Sequence, residues 1–206
     1  MQIGIIGAGH IGGTLARLFA NAGHDVAVSN SRGPDTLASL VASIGGNVHA
    51  ETPEGAVKFG DVIVLGMPWR RIDELPPAEG FAGKVVIDAM NPYSATGHVI
   101  DLGDRTSSEE VAKRMPKARL VKAFNTIYWK TLETGSRLQG PMEDRQAIFL
   151  AADDPEATAV VAKLIEQIGF APVHTGSLRE GGRRQRPNSS LYGRPMTARQ
   201  ARDLLR

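Results

Sequence analysis

Two short stretches carry residue types whose spacing suits phosphate chemistry. Gly7-Ala8-Gly9-His10-Ile11-Gly12 fits the pattern G-x-G-x-x-G, and it stands between an apolar run of strand length and a segment of helical period. In that setting each glycine has a task. Gly7 permits the tight turn, Gly9 lets backbone approach a diphosphate that a Cβ would obstruct, and Gly12 lets the helix pack closely on the sheet. The free N–H groups of the first helical turn, around His10 and Ile11, then face the diphosphate with the positive end of the helix dipole behind them. About twenty residues on, an Asp or Glu would accept hydrogen bonds from an adenosine ribose. The chain instead has Asn30, Ser31 and Arg32, with Thr36 following. An acid there repels a 2′-phosphate, whereas a planar guanidinium and a hydroxyl attract it. The pattern points to NADP(H) rather than NAD(H).

Three further stretches each close an apolar run: Leu65-Gly66-Met67-Pro68-Trp69-Arg70, Asp88-Ala89-Met90-Asn91-Pro92-Tyr93 and Val121-Lys122-Ala123-Phe124-Asn125-Thr126. If those runs are parallel strands, their carboxyl ends share the edge where an open sheet binds ligands. Met67, Pro68 and Trp69, together with Ala89 and Asn91, are then expected to border the nicotinamide. Trp69, Asn91, Pro92 and Asn125 are expected to form the pocket for a second substrate. Asn91 suits a carboxamide, the two prolines stiffen their loops, and Trp69 suits the core at least as well as a ring-covering wall.

An acid–base residue is harder to find. None of Tyr93, Tyr128 and Tyr192 is followed four residues later by lysine, as a short-chain dehydrogenase requires, and too little chain follows Ala123 to build the helical domain that carries the lysine of hydroxyacid dehydrogenases. His24, His49, His98 and His174 lack metal-ligand spacing and read as surface or packing residues, so no metal is expected. Lys122 is the one lysine near the expected crevice that could donate a proton, and no catalytic residue is assigned. Hydride transfer between stacked rings depends chiefly on alignment. A crevice poor in titratable groups suits that chemistry.

The elements that must position these residues are legible as alternating strand-length and helix-period segments, the pattern of a doubly wound, mostly parallel α/β sheet. Strands are expected at Gln2–Ile6, Asp25–Ser29, Asn47–Ala50, Asp61–Gly66, Lys84–Ala89, Arg119–Ala123, Ala147–Ala151 and Ala171–His174. Ile11, Leu15, Leu18, Phe19 and Ala22 fall at helical spacing before Gly23, and Asp154-Pro155 opens a second apolar stripe that ends at Gly169. Shorter helices are expected over Thr36–Ser43, Glu54–Phe59, Ile72–Leu75, Ser108–Met115 and Thr197–Leu205, the fourth opened by a capping box at Ser107 to Glu110. The segment Gly176–Arg194 reads as irregular loop.

Composition bounds the rest. A chain of 206 residues with 42% hydrophobic content suits one domain. Residues 1–123 would form its dinucleotide-binding core and residues 124–206 an α/β extension with a basic tail. No run approaches the roughly 18 apolar residues of a membrane span, and no secretory leader is recognisable, so a cytoplasmic protein without a membrane partner is expected. There is no cysteine, hence no disulfide or thiolate metal site. From Arg179 onward eight arginines stand against two acidic residues, with Tyr192 the only aromatic. A single-strand binder would interleave more stacking residues, so nucleic acid is not the expected partner.

Taken together, GIIGAGHIGGTLARLFANAGHDVAVSNSRGPDT up to Thr36, DVIVLGMPW, GKVVIDAMNPY, RLVKAFNTIY and the late EGG…LYGRPMTARQARDLL resemble the coenzyme F420-dependent NADP oxidoreductase family over nearly the whole chain. The resemblance implies an NADP-binding Rossmann domain with a small C-terminal extension, a homodimer, and hydride exchange between NADPH and an 8-hydroxy-5-deazaflavin lying near Met67-Pro68-Trp69 and Asn91. The arginines of Arg183-Arg184-Gln185-Arg186-Pro187 would serve that anionic acceptor or the rim of an interface. A flavin, a ferric chelate or a small imine or carbonyl compound stays open as the hydride acceptor. So does a non-catalytic NADPH sensor.

Overall fold

Gln2–Ile6, β1, buries every residue after its first, which a strand does when both faces of its sheet are covered. In the computed structural model, which describes residues 1–206, β1 is central. β2 (Asp25–Ser29) runs parallel on one side and β4 (Val62–Leu65) on the other, with Ile3 level with both Val26 and Val62. β3 (Val48–Glu51) pairs outside β2, while β5 (Val85–Asp88), β6 (Arg119–Ala123), β7 (Ala147–Ala152) and β8 (Ala171–His174) extend the far side. The order is β3-β2-β1-β4-β5-β6-β7-β8, parallel except that β7 runs antiparallel to β6. All eight expected strands are present, shifted by a residue at some ends. The chain adds β2 and β3 on one side of β1 and then crosses back to add β4 on the other, so the crevice beyond β1 and β4 is the switch point where such sheets take ligands.

Strand alternation sorts the core into two layers. Ile3, Ile5, Val26, Val28, Val62 and Val64 face α1 (His10–Asn21) and α6 (Pro155–Gln167), where Leu15, Phe19, Val161, Leu164 and Ile165 meet them. Ile6, Ile63, Leu65, Val86 and Leu120 face the opposite way, toward Val57 of α3 (Pro53–Phe59) and Val111 of α4 (Ser107–Arg114). Each fully buried side chain of this size contributes roughly 1.5–3 kcal/mol, and both layers are continuous under the crevice. α2 (Ala38–Ile44) follows a short 3₁₀ turn at Pro34–Leu37, and another 3₁₀ segment replaces the helix expected near Ile72, spanning Trp69–Glu74.

Capping explains where helices start. Asp154 accepts from the N–H groups of Glu156 and Ala157, as its place before Pro155 predicts. The box of α4 is closed by Thr106 and Glu109, one residue earlier than expected, because it is the Thr106 hydroxyl that reaches the Glu109 N–H. Two short helices were not expected: α5 (Trp129–Thr134), and α7 (Glu180–Arg184) inside the segment expected to be irregular. α8 (Ala198–Leu205) closes the chain. His24 packs edge-on against Phe19 and bonds Gln167 at 3.1 Å. No helix is long and apolar enough to cross a membrane.

Candidate functional site

The floor of the site is the turn between β1 and α1. Gly7 has φ +106°, and its N–H donates to the Ser29 carbonyl at 2.9 Å. A Cβ on Gly12 would lie 1.8 Å from the Gly7 carbonyl, so this glycine is required by packing. Gly9 is different: a Cβ there would meet nothing within 4 Å. No side chain caps α1, and no acidic residue occupies its first turn. The turn is thus an open concavity of unpaired N–H donors at a helix start, a cradle that fits the diphosphate of a dinucleotide.

A crevice of about 540 Å³ extends from this cradle along the carboxyl ends of β1, β2, β4 and β5. One end is basic. Asn30 accepts the Arg32 N–H at 2.8 Å and donates to the Thr36 hydroxyl at 2.9 Å, which in turn donates to the Gly33 carbonyl at 2.8 Å. These bonds shape the loop so that Ser31 and Arg32 face the crevice. Arg71, from the Trp69–Glu74 segment, donates to the Ser31 hydroxyl at 3.0 Å while its other edge grips Glu74 in a two-point ion pair. Hydrogen bonding to Arg71 holds the Glu74 carboxyl below its usual value, although both groups are exposed and water screens the pair.

The opposite end is neutral. Met67, Pro68 and Trp69 form one wall and Ala89, Met90, Asn91 and Tyr93 the other. Trp69 belongs to the second core layer, where it is only 8% exposed, and also lines the crevice. Asn91 donates to the Asn125 carbonyl at 2.8 Å and to the Tyr192 hydroxyl at 3.2 Å, and accepts from the Asn125 amide at 3.2 Å. Both its amide hydrogens are therefore used within the protein. The Tyr93 hydroxyl lies 3.2 Å from that of Tyr192. Phe124, buried at φ +64°, is a bulky residue in left-handed backbone. It turns the chain out of β6 so that Asn125 reaches both Asn91 and the Gln185 carbonyl, the latter at 2.9 Å.

The expected cofactor-binding residues all line the crevice except Gly12, which packs under it, and Thr36, which ties its loop. In the expected second-substrate pocket, Trp69 and Asn91 line the crevice. Asn125 is buried behind Asn91, and Pro92 borders a separate hollow with Val99 and Arg105. Lys122 is also corrected. Strand alternation turns it to the layer opposite α1, where its ammonium lies 3.1 Å from Asp88 and donates also to the Met90 carbonyl. Burial pushes this ammonium below the ordinary lysine range, opposed by Asp88. With its donors committed to groups under the Asn91 loop, Lys122 braces that loop and does not face the crevice.

Sequence spacing missed four contributors. Arg71 follows the quoted Met67 to Arg70 stretch directly, and its charge beside Ser31 was the available signal. Tyr93 and Tyr192 meet only through the fold. Trp129 of α5 stacks on His10, ring centroids 4.3 Å apart and 11° from parallel, closing the flank of the diphosphate cradle.

A doubly wound sheet, an open glycine cradle at the β1–α1 turn and a crevice at the switch point define an NAD(P)-binding Rossmann protein. Residues 2–92 match the model of the family described as NADP oxidoreductase, coenzyme F420-dependent. That is a family of NADP-dependent oxidoreductases. Among solved structures it is similar to hypothetical protein SMa0349 from Sinorhizobium meliloti, 32% identical over 96% of this chain and 95% of that one, TM-score 0.84. It shares its fold with a candidate F420-dependent NADP-reductase from Arthrobacter sp. FB24, 23% identical over 86% of each chain, TM-score 0.75. It is also 30% identical to metalloreductase STEAP3 of Rattus norvegicus across 86% of this chain, though the match spans only 34% of that relative's length.

Proposed function

We propose that this chain exchanges hydride between NADPH and a deazaflavin- or flavin-like acceptor. The cofactor would lie with its diphosphate over Gly7-Ala8-Gly9, its 2′-phosphate between Ser31, Arg32 and Arg71, and its nicotinamide between Met67-Pro68-Trp69 and Ala89 to Asn91. Bound NADPH supplies the hydride. The chain's residues supply alignment, holding a flat ring against apolar walls where water is displaced.

The observation that carries the reading is the contrast within one crevice. Arg32, Arg71 and the Ser31 hydroxyl line the Ser31 end, with Glu74 pairing Arg71 on its other edge, and no acidic residue stands at the end of β2 where a ribose-selective acid would. The match to an F420-dependent family supports a deazaflavin, and the name metalloreductase STEAP3 keeps a metal acceptor as the alternative. The acceptor is a small molecule, and a cytoplasmic homodimer is the assembly that sedimentation should find.

Calorimetric titration with NADPH and NADH, followed by mixing with NADPH and either coenzyme F420 or FMN while the dihydronicotinamide band is watched, tests the proposal. We expect tight, phosphate-dependent binding and loss of the band with one of the two acceptors. Equal affinity for NADH, or tight binding with no transfer to either acceptor, would refute it.

A further inference from the structure

The structure assigns a proton source to a crevice in which sequence spacing offered none. We propose that Tyr93, backed by Tyr192, delivers a proton to the acceptor as hydride arrives, so that the acceptor class is one whose reduced form carries a new N–H or O–H. This rests on the reading of the crevice as an NADPH site.

Tyr93 borders the crevice at its neutral end, and Tyr192, 99 residues away in sequence, brings its hydroxyl to 3.2 Å. Two phenols carry two hydrogens, and only one of these can lie between the two oxygens. The Asn91 amide adds a donor to the Tyr192 oxygen, not an acceptor. No carbonyl or carboxylate bonds either hydroxyl, so one phenolic hydrogen is left without a protein acceptor whichever way the pair is oriented. As placed, Tyr93 donates to Tyr192; turning both hydroxyls hands that bond to Tyr192, whose oxygen the Asn91 amide still holds, and frees the Tyr93 hydrogen for a molecule in the crevice. Burial, and then the bond to Tyr93, push the Tyr192 phenol above its ordinary range. The Tyr192 phenol therefore keeps its proton at neutral pH.

The step balances as follows. The electrophilic atom of the acceptor, a carbon in deazaflavins, imines and carbonyls and a ring nitrogen in flavins, takes the hydride and its electron pair, and the nitrogen or oxygen bonded or conjugated to it becomes basic. The Tyr93 O–H bond breaks, the proton passes to that atom, and the electron pair stays on the Tyr93 oxygen, stabilised by the Tyr192 O–H. Water returns a proton to Tyr93 after the product leaves. Flavins, deazaflavins, imines and carbonyls all take up hydride and proton in this way. A ferric chelate takes single electrons and has no use for the phenol. Tyr192 acts through Tyr93 and is a positioning residue.

The test uses the full chain and three variants, Tyr93→Phe, Tyr192→Phe and the exposed Tyr128→Phe as control, with NADPH and with FMN and 8-hydroxy-5-deazaflavin as probes. NADPH affinity should stay within about twofold in all, since no phenol faces the phosphate end. Single-turnover hydride transfer should fall on the order of 10²-fold in Tyr93→Phe, with loss of the solvent deuterium isotope effect. In Tyr192→Phe it should fall roughly tenfold with the isotope effect retained, because Tyr93 still donates. Independently of turnover, the visible band shift of a probe bound to the NADP⁺-loaded protein should vanish in Tyr93→Phe and persist in Tyr128→Phe. Failure of the wild-type chain to bind NADPH overturns the parent reading and this one with it. Intact NADPH binding with unchanged rate, isotope effect and probe spectrum in Tyr93→Phe overturns this proposal alone. Should Tyr93→Phe misfold, the single-turnover rate in Tyr192→Phe decides it, a rate equal to wild type being the overturning result.

Discussion

The two ends of the crevice are built on opposite plans. At the Ser31 end the determinants sit within a few residues of one another on a surface loop and act through charge, with Arg71 the single recruit from elsewhere. At the Asn91 end, side chains from three distant segments meet in a half-buried, uncharged network whose hydrogen bonds are mostly internal. On the proposed function, the first end would discriminate by electrostatics. The second depends on the fold being correct to within a fraction of an ångström, because a displaced neutral donor loses its bond entirely.

The most severe way to break that contrast is from beneath the neutral end. Lys122→Ala would strand the Asp88 carboxylate in the core and should cost on the order of 3–5 kcal/mol, read from the denaturant midpoint. Replacing both partners, as in Asp88→Leu with Lys122→Met, should recover most of that loss. A double variant as unstable as the single one would mean that the pair has another role. At the cradle, Gly9→Ala should leave stability nearly unchanged, since a Cβ there meets nothing within 4 Å. It should nevertheless weaken NADPH by at least about 10²-fold, as expected where a charge-assisted anion contact of about 3 kcal/mol is blocked. Unaltered calorimetric affinity would place the diphosphate elsewhere.

Finer effects belong to the basic end. Arg32→Asp should move the ratio of NADPH to NADH dissociation constants by roughly 30-fold toward NADH, about 2 kcal/mol. The internal comparison is sharpened if the same substitution leaves Tyr93-dependent proton transfer untouched. The smallest effect lies away from both ends. Burial and then the nearby N-terminal charge hold the His24 imidazole below its ordinary 6.5, so protonation favours the unfolded chain. Stability should be full above that value and fall as pH drops below it. Thermal melts of His24→Gln across that range should be flatter; an identical slope would show that His24 is not the group responsible.

How far each end was readable from sequence follows from the same contrast. The sheet was legible because parallel strands covered on both faces are continuous apolar runs, as in Val62–Leu65 and Val85–Asp88. The cradle and the Asn30–Arg32 loop were legible because their chemistry is local. The tyrosine pair was not, since a search for Tyr with Lys one helical turn on examines a single element, whereas Tyr93 and Tyr192 are joined by the packing of a tail on a loop. Lys122 was misplaced for a simpler reason. Its neighbours Val121 and Ala123 lie in the layer facing α1, so the period of a strand already directs Lys122 to the other side. α5 and α7, at six and five residues, are too short to carry a periodic signal and owe their helicity to what they pack against.

The uncapped start of α1 ties the molecule to its surroundings. A helix whose first turn waits on an anion from solution is completed only when that anion arrives, so occupancy and folding become one coupled equilibrium. At a hundredfold excess over the dissociation constant this linkage adds about 2.7 kcal/mol. The melting point of the protein in a cell would then rise and fall with the pool of phosphorylated dinucleotide, making its lifetime a gauge of reducing power.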